Sequence, residues 1–187
     1  MRKAILLIFG GLLIVFLDFR LNEFDVLMDP LGYVITTVGF NFFANNIQPA
    51  RTAQIISILL AGLVIPEMFV DPNATYTTLG LWNFYFLGVT ILSIVLAYYI
   101  FLLLIELADQ MNRSDLKRRT EKTMKAYLVI MFFIALLNTF SINVSHLLGF
   151  IIILAIAGLI TQIVFLVLIF KFRTIDETDH QQISMEG

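Results

Sequence analysis

The sequence contains no cysteine and few charged residues. Without cysteine the chain can form neither a disulfide nor a thiolate metal site, and it has no cysteine nucleophile. Asp, Glu, Lys and Arg make up 14% of the 187 residues, against about 25% in an ordinary soluble domain. Charge of either sign is therefore too scarce to cover a water-facing surface.

Apolar residues take the place of the missing charge. They make up 59% of the chain, and the mean hydropathy is +0.91. A water-soluble fold could not keep so much apolar surface away from solvent. This composition excludes a soluble globular enzyme, a disordered chain and a nucleic-acid binder, and it indicates that lipid is the main solvent of the protein.

The apolar residues form six long runs of 16 to 26 residues, at 4–19, 31–47, 53–70, 80–105, 126–145 and 147–170. A membrane-spanning helix needs about 17–25 residues. Of the 12 basic and 14 acidic residues, only Asp18 and Glu67 fall inside these runs. Because no run alternates apolar and polar residues, helices are favoured over a β-barrel. The runs predict an all-α polytopic membrane protein with a bundle of six transmembrane helices.

The basic residues predict the orientation of this bundle. If the N-terminus is cytoplasmic, eleven Lys and Arg residues fall on the inner side and only Arg20 falls on the outer side. Both termini are then cytoplasmic. The first run follows Arg2 and Lys3 without a small-residue cleavage site after it, which predicts a retained anchor. The transmembrane domain covers 1–173, and the polar segment 174–187 is predicted to be a disordered cytoplasmic tail.

The stretch between the first two runs resembles a known group. Residues 24–33 read FDVLMDPLGY, which is similar to the Phe-Asp-x-Leu-x-Asp-x-x-Gly-Tyr stretch of a group of small multi-pass membrane proteins from Gram-positive bacteria. The resemblance covers the first two spans. It implies a multi-pass topology in a bacterial plasma membrane, and it implies no reaction.

Acidic residues collect on the predicted outer side. Asp25 and Asp29 are four residues apart, so on a helical turn their carboxylates would share a face. Asp29 also precedes Pro30, where it would cap the second helix. One interpretation is a cap with a solvated loop, and the other is a carboxylate site for a cation or a cationic partner. The candidate cluster comprises Asp18, Asp25, Asp29, Glu67 and Asp71.

Carboxamide side chains are the other polar groups inside the runs. They are interpreted as interhelical hydrogen-bonding groups, and the alternative is that they line a polar path for a solute. These residues are Asn41, Asn45, Asn138, Asn143 and Gln162. Tyr33 and Tyr127, near the ends of their spans, are predicted to anchor the helices at the membrane interface.

The segment 107–125 separates the fourth and fifth runs and is predicted to carry helix into the cytoplasm, because it is rich in helix-forming residues. Its basic residues are predicted to contact anionic lipid headgroups. They are Lys117, Arg118, Arg119, Lys122 and Lys125.

No catalytic motif accompanies these features. HExxH, GxSxG and phosphate-binding glycine motifs are absent from the sequence, and the two histidines, His146 and His180, are too isolated to form a zinc site. We therefore expect neither an enzyme nor a metal or cofactor site. An intramembrane enzyme would need at least two of Asp18, Asp25, Glu67 and His146 to meet in one closed cavity.

Two function classes remain from the sequence. The first is a non-enzymatic accessory protein, sensor or assembly factor that associates in the bilayer with another membrane protein or with a second copy of itself. The alternative is a small transporter or channel for a cation or small solute, with an acidic outer mouth that concentrates cations.

Overall fold

A computed structural model describes residues 1–17, 20–21, 24–25, 29–66, 81–140 and 148–186. These residues form six helices and one pair of two-residue antiparallel strands, which confirms the all-α prediction. The elements are α1 (Arg2–Leu17), β1 (Arg20–Leu21), β2 (Phe24–Asp25), α2 (Asp29–Asn41), α3 (Gln48–Leu63), α4 (Leu81–Gln110), α5 (Ser114–Phe140) and α6 (Leu148–Glu186).

The helices form a ring in chain order. Each helix packs against the next one along the chain, and α6 returns to pack against α1. Neighbours run antiparallel: Gly39, late in α2, faces Ala4, early in α1. The starts of α1, α3 and α5 therefore lie at the same end as the end of α4. We call this the basic end, because it carries Arg2, Arg51, Arg113 and Lys171.

The α1–α2 contact is the tightest backbone approach among the described glycines. A Cβ atom added to Gly11 would lie 2.7 Å from the backbone nitrogen of Thr36, and one added to Gly32 would lie 2.7 Å from the carbonyl oxygen of Gly11. Small residues allow such an approach between helices. The Thr36 hydroxyl donates to the Gly32 carbonyl oxygen at 2.8 Å, so this buried side chain satisfies its donor within α2.

Two helix ends differ from the predicted spans. The second helix stops at Asn41, and turns follow it over 42–46, although the predicted span ran to residue 47. Asn41 and Asn45 explain the early stop, since Asn side chains compete for backbone hydrogen bonds and favour turns. The third helix ends at Leu63 with Val64 as its C-cap. Pro66 follows shortly, and the residue before a proline is disfavoured in helix.

At the basic end the predicted helical extension is confirmed. The fourth helix runs to Gln110, and a three-residue turn follows it, in which Asn112 has a φ of 54°. The last helix continues through 174–186, where the polar composition predicts a disordered tail. This segment contains neither proline nor glycine, so nothing in its sequence breaks the helix that enters it.

Candidate functional site

A cavity of about 470 Å³ lies inside the ring, between α1, α2, α4, α5 and α6. Most of its wall is aliphatic or aromatic, as at Leu12, Leu96, Ile100 and Leu154. A second hollow of about 300 Å³ shares part of this wall and reaches Asp29 and Val64. The two hollows share Val15, Tyr33, Ser93, Tyr127, Met131 and Gln162. We treat them as one space and call it the central cavity.

The first polar pair in the central cavity joins α2 and α4. The Tyr33 hydroxyl lies 3.3 Å from Ser93 Oγ. The Tyr33 carbonyl oxygen accepts hydrogen bonds from Thr37 Oγ1 and Ser57 Oγ, both at 2.9 Å. Since Ser57 belongs to α3, three helices hold Tyr33 in place. Its side chain is 4% exposed, so the interface-anchor prediction for Tyr33 is wrong.

The second polar pair joins α5 and α6. The Tyr127 hydroxyl donates to the Gln162 amide oxygen at 3.4 Å. The Tyr127 ring packs 5.4 Å from Phe101 and 5.0 Å from Phe165, and these two rings are 4.8 Å apart. Tyr127 is 4% exposed, so its prediction as an interface anchor is also wrong. Packing against two other rings holds the Tyr127 side chain inside the bundle, and its hydroxyl group is hydrogen-bonded to Gln162.

These groups define what the cavity can bind. Hydroxyl and amide groups can donate and accept hydrogen bonds without carrying charge. Among the described lining residues, Asp29 is the only ionisable group other than the two tyrosines, and it lies toward the end away from the basic residues. An apolar wall with a few polar groups is typical of a small-molecule site. Among the described residues, no group of His, Asp and Glu side chains is placed to hold a metal ion.

The structure brings one candidate acid to this cavity. Asp29 begins α2 and lines the space, and one of its carboxylate oxygens is shielded from solvent. Asp25 lies in β2, opposite Arg20 in the strand register. Asp18, Glu67 and Asp71 lie outside the described residues. The meeting of the five carboxylates therefore stays a prediction.

The candidate amides separate into different places. Gln162 lines the central cavity, whereas Asn41 and Asn45 are exposed at the basic end. Asn41 accepts a hydrogen bond from Gln54 Nε2 at 3.4 Å, which joins α2 to α3. Asn138 lies in the last turn of α5, and Asn143 is outside the described residues.

Sequence reasoning missed two of the hydroxyl groups that line the central cavity. Ser93 and Thr90 both line it, and they stand three residues apart in the most extended apolar run, at 80–105. Hydroxyl residues at this spacing share a helix face. That was the available signal, although it could not show which helix they face.

The candidate lipid-contact residues lie along the first turns of α5. Arg118, Arg119, Lys122 and Lys125 are exposed. Lys117 instead pairs with Asp109 across the α4–α5 turn, with 2.6 Å between Nζ and Oδ1. This hydrogen bond raises the pKa of Lys117.

The exterior of the ring is apolar. Two of the described helices, over Phe84–Gln110 and Ile152–Arg173, are long and apolar enough to cross a membrane. In the most apolar stretch of each, only 33% and 28% of the residues are buried. Large apolar side chains point outward on α4, α5 and α6, as at Phe84, Phe132 and Ile153.

Comparison with protein-family models, with curated proteins and with solved structures finds no match to this chain. The resemblance of residues 24–33 to the Gram-positive membrane proteins therefore stays a prediction.

Proposed function

We propose that this chain is a six-span protein of a bacterial plasma membrane, with cytoplasmic termini, that binds a small and mostly apolar molecule in the central cavity. It acts as a sensor or accessory protein and does not transform the molecule. The observation that carries the proposal is the cavity itself, in which Tyr33, Ser93, Tyr127 and Gln162 present hydrogen-bonding groups inside an apolar wall.

The apolar exterior supports the membrane part of the proposal. The core helix of a soluble protein would be mostly buried, whereas only 33% and 28% of the residues are buried in the most apolar stretches of α4 and α6. Such a surface is a liability in water, and lipid would cover it.

The helices α1, α2 and α3 fit a bilayer that is thinner beside them. The described parts of α1 and α3 are 16 residues long, and that of α2 is 13. At about 1.5 Å per residue, they are shorter than a hydrocarbon core of about 30 Å. Because these three helices are consecutive in the ring, the mismatch is confined to one side. A locally thinner bilayer accommodates it at modest cost.

The size and chemistry of the cavity support the binding part. The larger of its two hollows has a volume of about 470 Å³, within the range of about 300–1,000 Å³ that is usual for small-molecule sites. A molecule with an apolar body and one or two hydroxyl, carbonyl or amide groups would match both the wall and the two polar pairs. Hydroxyl and amide groups hold such a molecule by hydrogen bonds, and binding needs no further chemistry from the wall.

Native mass spectrometry of the protein released from detergent tests this proposal. We expect a bound small molecule on the wild type. Ala97→Leu should reduce its occupancy at least tenfold, because the buried Ala97 lines the cavity. Ala126→Leu is the matched control, since Ala126 is exposed on α5. If no molecule is bound and Ala97→Leu raises the unfolding midpoint, the cavity is an empty packing defect and the proposal fails.

The position of Asp29 favours a second candidate function. This carboxylate lines the part of the cavity farthest from the basic end, and an acid at a cavity mouth attracts cations. A transporter or channel for a cation or small solute would use it as an entry. Cation flux into proteoliposomes tests this candidate: flux that falls tenfold in Asp29→Asn would favour transport over sensing, and an absence of flux would exclude it.

A further inference from the structure

A second concave site lies at the basic end, outside the central cavity. It is a hollow of about 350 Å³ between the α4–α5 turn, the start of α5 and the late part of α6. Among the described residues, three cationic side chains and one carboxylate line it, namely those of Arg113, Arg119, Lys171 and Asp115. We call it the basic pocket.

The cations reach the basic pocket from three separate places. Arg113 lies in the turn, where its backbone nitrogen donates to the Ala108 carbonyl oxygen at 3.0 Å. The Arg113 carbonyl oxygen accepts a hydrogen bond from the backbone nitrogen of Lys117 at 3.0 Å, so α5 begins directly after Arg113. Arg119 stands in the second turn of α5, and Lys171 belongs to α6. The three cations come together only through the fold, because Lys171 is more than fifty residues from Arg113 and Arg119 in the sequence.

The charge of the basic pocket favours an anion. Among the described residues that line it, three carry positive charge and come from the turn, from α5 and from α6. Backbone N–H groups in the first turn of a helix have no acceptor within that helix, and the helix dipole is positive there. Ser114 and Asp115 of this turn line the pocket. Their backbone N–H groups favour an anion, whereas the Asp115 carboxylate opposes it.

We propose that the basic pocket binds a phosphate group. Guanidinium groups bind phosphate oxygens through paired hydrogen bonds, and an ammonium group adds a point charge. Two sources share this chemistry: the headgroup of an anionic phospholipid and a free phosphate ion or ester. Basic pockets between helices at the cytoplasmic face are known to hold phospholipid headgroups. The proposal goes beyond the central cavity and does not depend on what that cavity binds.

The test compares two double variants with the same change of charge. Arg119→Gln with Lys171→Gln removes two cations from the basic pocket, whereas Lys3→Gln with Arg51→Gln removes two exposed cations that do not line it. The thermal unfolding midpoint of the full chain is measured in neutral detergent with increasing inorganic phosphate, against chloride at equal ionic strength. It is also measured in nanodiscs of phosphatidylcholine with and without one-fifth phosphatidic acid.

We expect a phosphate source to raise the midpoint of the wild type and of the control variant. In the pocket variant the apparent affinity should fall at least fivefold. Stabilisation by phosphatidic acid alone identifies the lipid headgroup as the ligand, and stabilisation by both sources shows that the phosphate group is sufficient. Equal losses in both variants would mean diffuse attraction to the surface and overturn the proposal, as would an unchanged midpoint with both sources.

A pocket variant that fails to fold would leave its affinity unmeasured, so Arg119→Lys is tested as well. It keeps the charge and loses the paired donors of the guanidinium group. We expect a smaller loss of phosphate affinity than in the double variant. Wild-type affinity in Arg119→Lys would argue against a guanidinium–phosphate contact at this position.

Discussion

The Tyr33 hydroxyl and Ser93 Oγ lie 3.3 Å apart and connect α2 to α4 across the central cavity. These helices are not neighbours in the ring, since α3 packs between them in the order of contacts. The hydrogen bond therefore links two non-adjacent helices through the interior, by side chains that are 60 residues apart in sequence.

We expect Tyr33→Phe and Ser93→Ala each to lower the free energy of unfolding by about 0.5–1.5 kcal/mol, the usual net value of one hydrogen bond. In the double variant the losses should not add, with a coupling of about 0.6 kcal/mol as for other bonds between membrane helices. Unfolding in mixed micelles with increasing SDS measures this coupling. Additive losses would show that the two groups do not interact. Tyr98→Phe, at an exposed tyrosine of α4, is the control.

Neighbouring glycines of α1 should respond oppositely to the same substitution. A Cβ on Gly11 meets the backbone of α2, whereas one on Gly10 meets no atom within 4 Å apart from the adjoining backbone of its own helix. We expect Gly11→Ala to destabilise the protein by about 1–3 kcal/mol through overpacking. Gly10→Ala should be neutral or stabilise it by up to about 1 kcal/mol, because alanine favours helix. Thermal unfolding in detergent compares them. Similar midpoints would mean that α1 and α2 are not in backbone contact.

The three rings of Phe101, Tyr127 and Phe165 should carry much of the packing between α4, α5 and α6. Phe101 is fully buried, and we expect Phe101→Ala to cost about 3–5 kcal/mol through the void that it leaves. Phe132→Ala is a matched control, because Phe132 is 61% exposed on the outside of α5 and leaves no internal void. Equal effects of the two substitutions on the unfolding free energy would contradict this arrangement of the helices.

Lys117 and Asp109 should give the basic end a dependence on alkaline pH. The hydrogen bond from Lys117 to Asp109 raises the pKa of Lys117 above its ordinary value of 10.5. A raised pKa in the folded state means that the pair stabilises the protein fully below the ordinary pKa and loses this effect as pH rises through the folded pKa. We expect Asp109→Asn to lower the Lys117 pKa, as measured by NMR of methylated lysines.

The difference in stability between the wild type and Asp109→Asn should accordingly shrink in strong alkali. Using the difference between the two proteins removes the contribution of tyrosines, which titrate in the same range. If NMR gives the same pKa for the Lys117 amine in both proteins, the ion pair does not form in solution.

The helices α4 and α6 follow closely from the sequence, because long apolar runs without Pro leave few alternatives to helix. The predicted length of the second span is too great. The mean hydropathy over 31–47 is high, and it hides the local preference of Asn41 and Asn45 for turns. The central cavity could not be predicted. Tyr33 and Tyr127 carry the same pattern as interface tyrosines, and only the order of helices in the ring shows that both side chains face inward. Likewise, the basic pocket needs Lys171 beside a turn that lies more than fifty residues earlier in the chain.

Closure of the ring has a consequence for biosynthesis. The Phe9 and Phe170 rings are 5.2 Å apart, where the first helix of the chain meets the last. A nascent chain that has released only five helices has no wall between α5 and α1, so the polar groups around the cavity are exposed on that side. The proposed ligand site is therefore completed only when α6 leaves the ribosome and packs against α1, the helix that is made first.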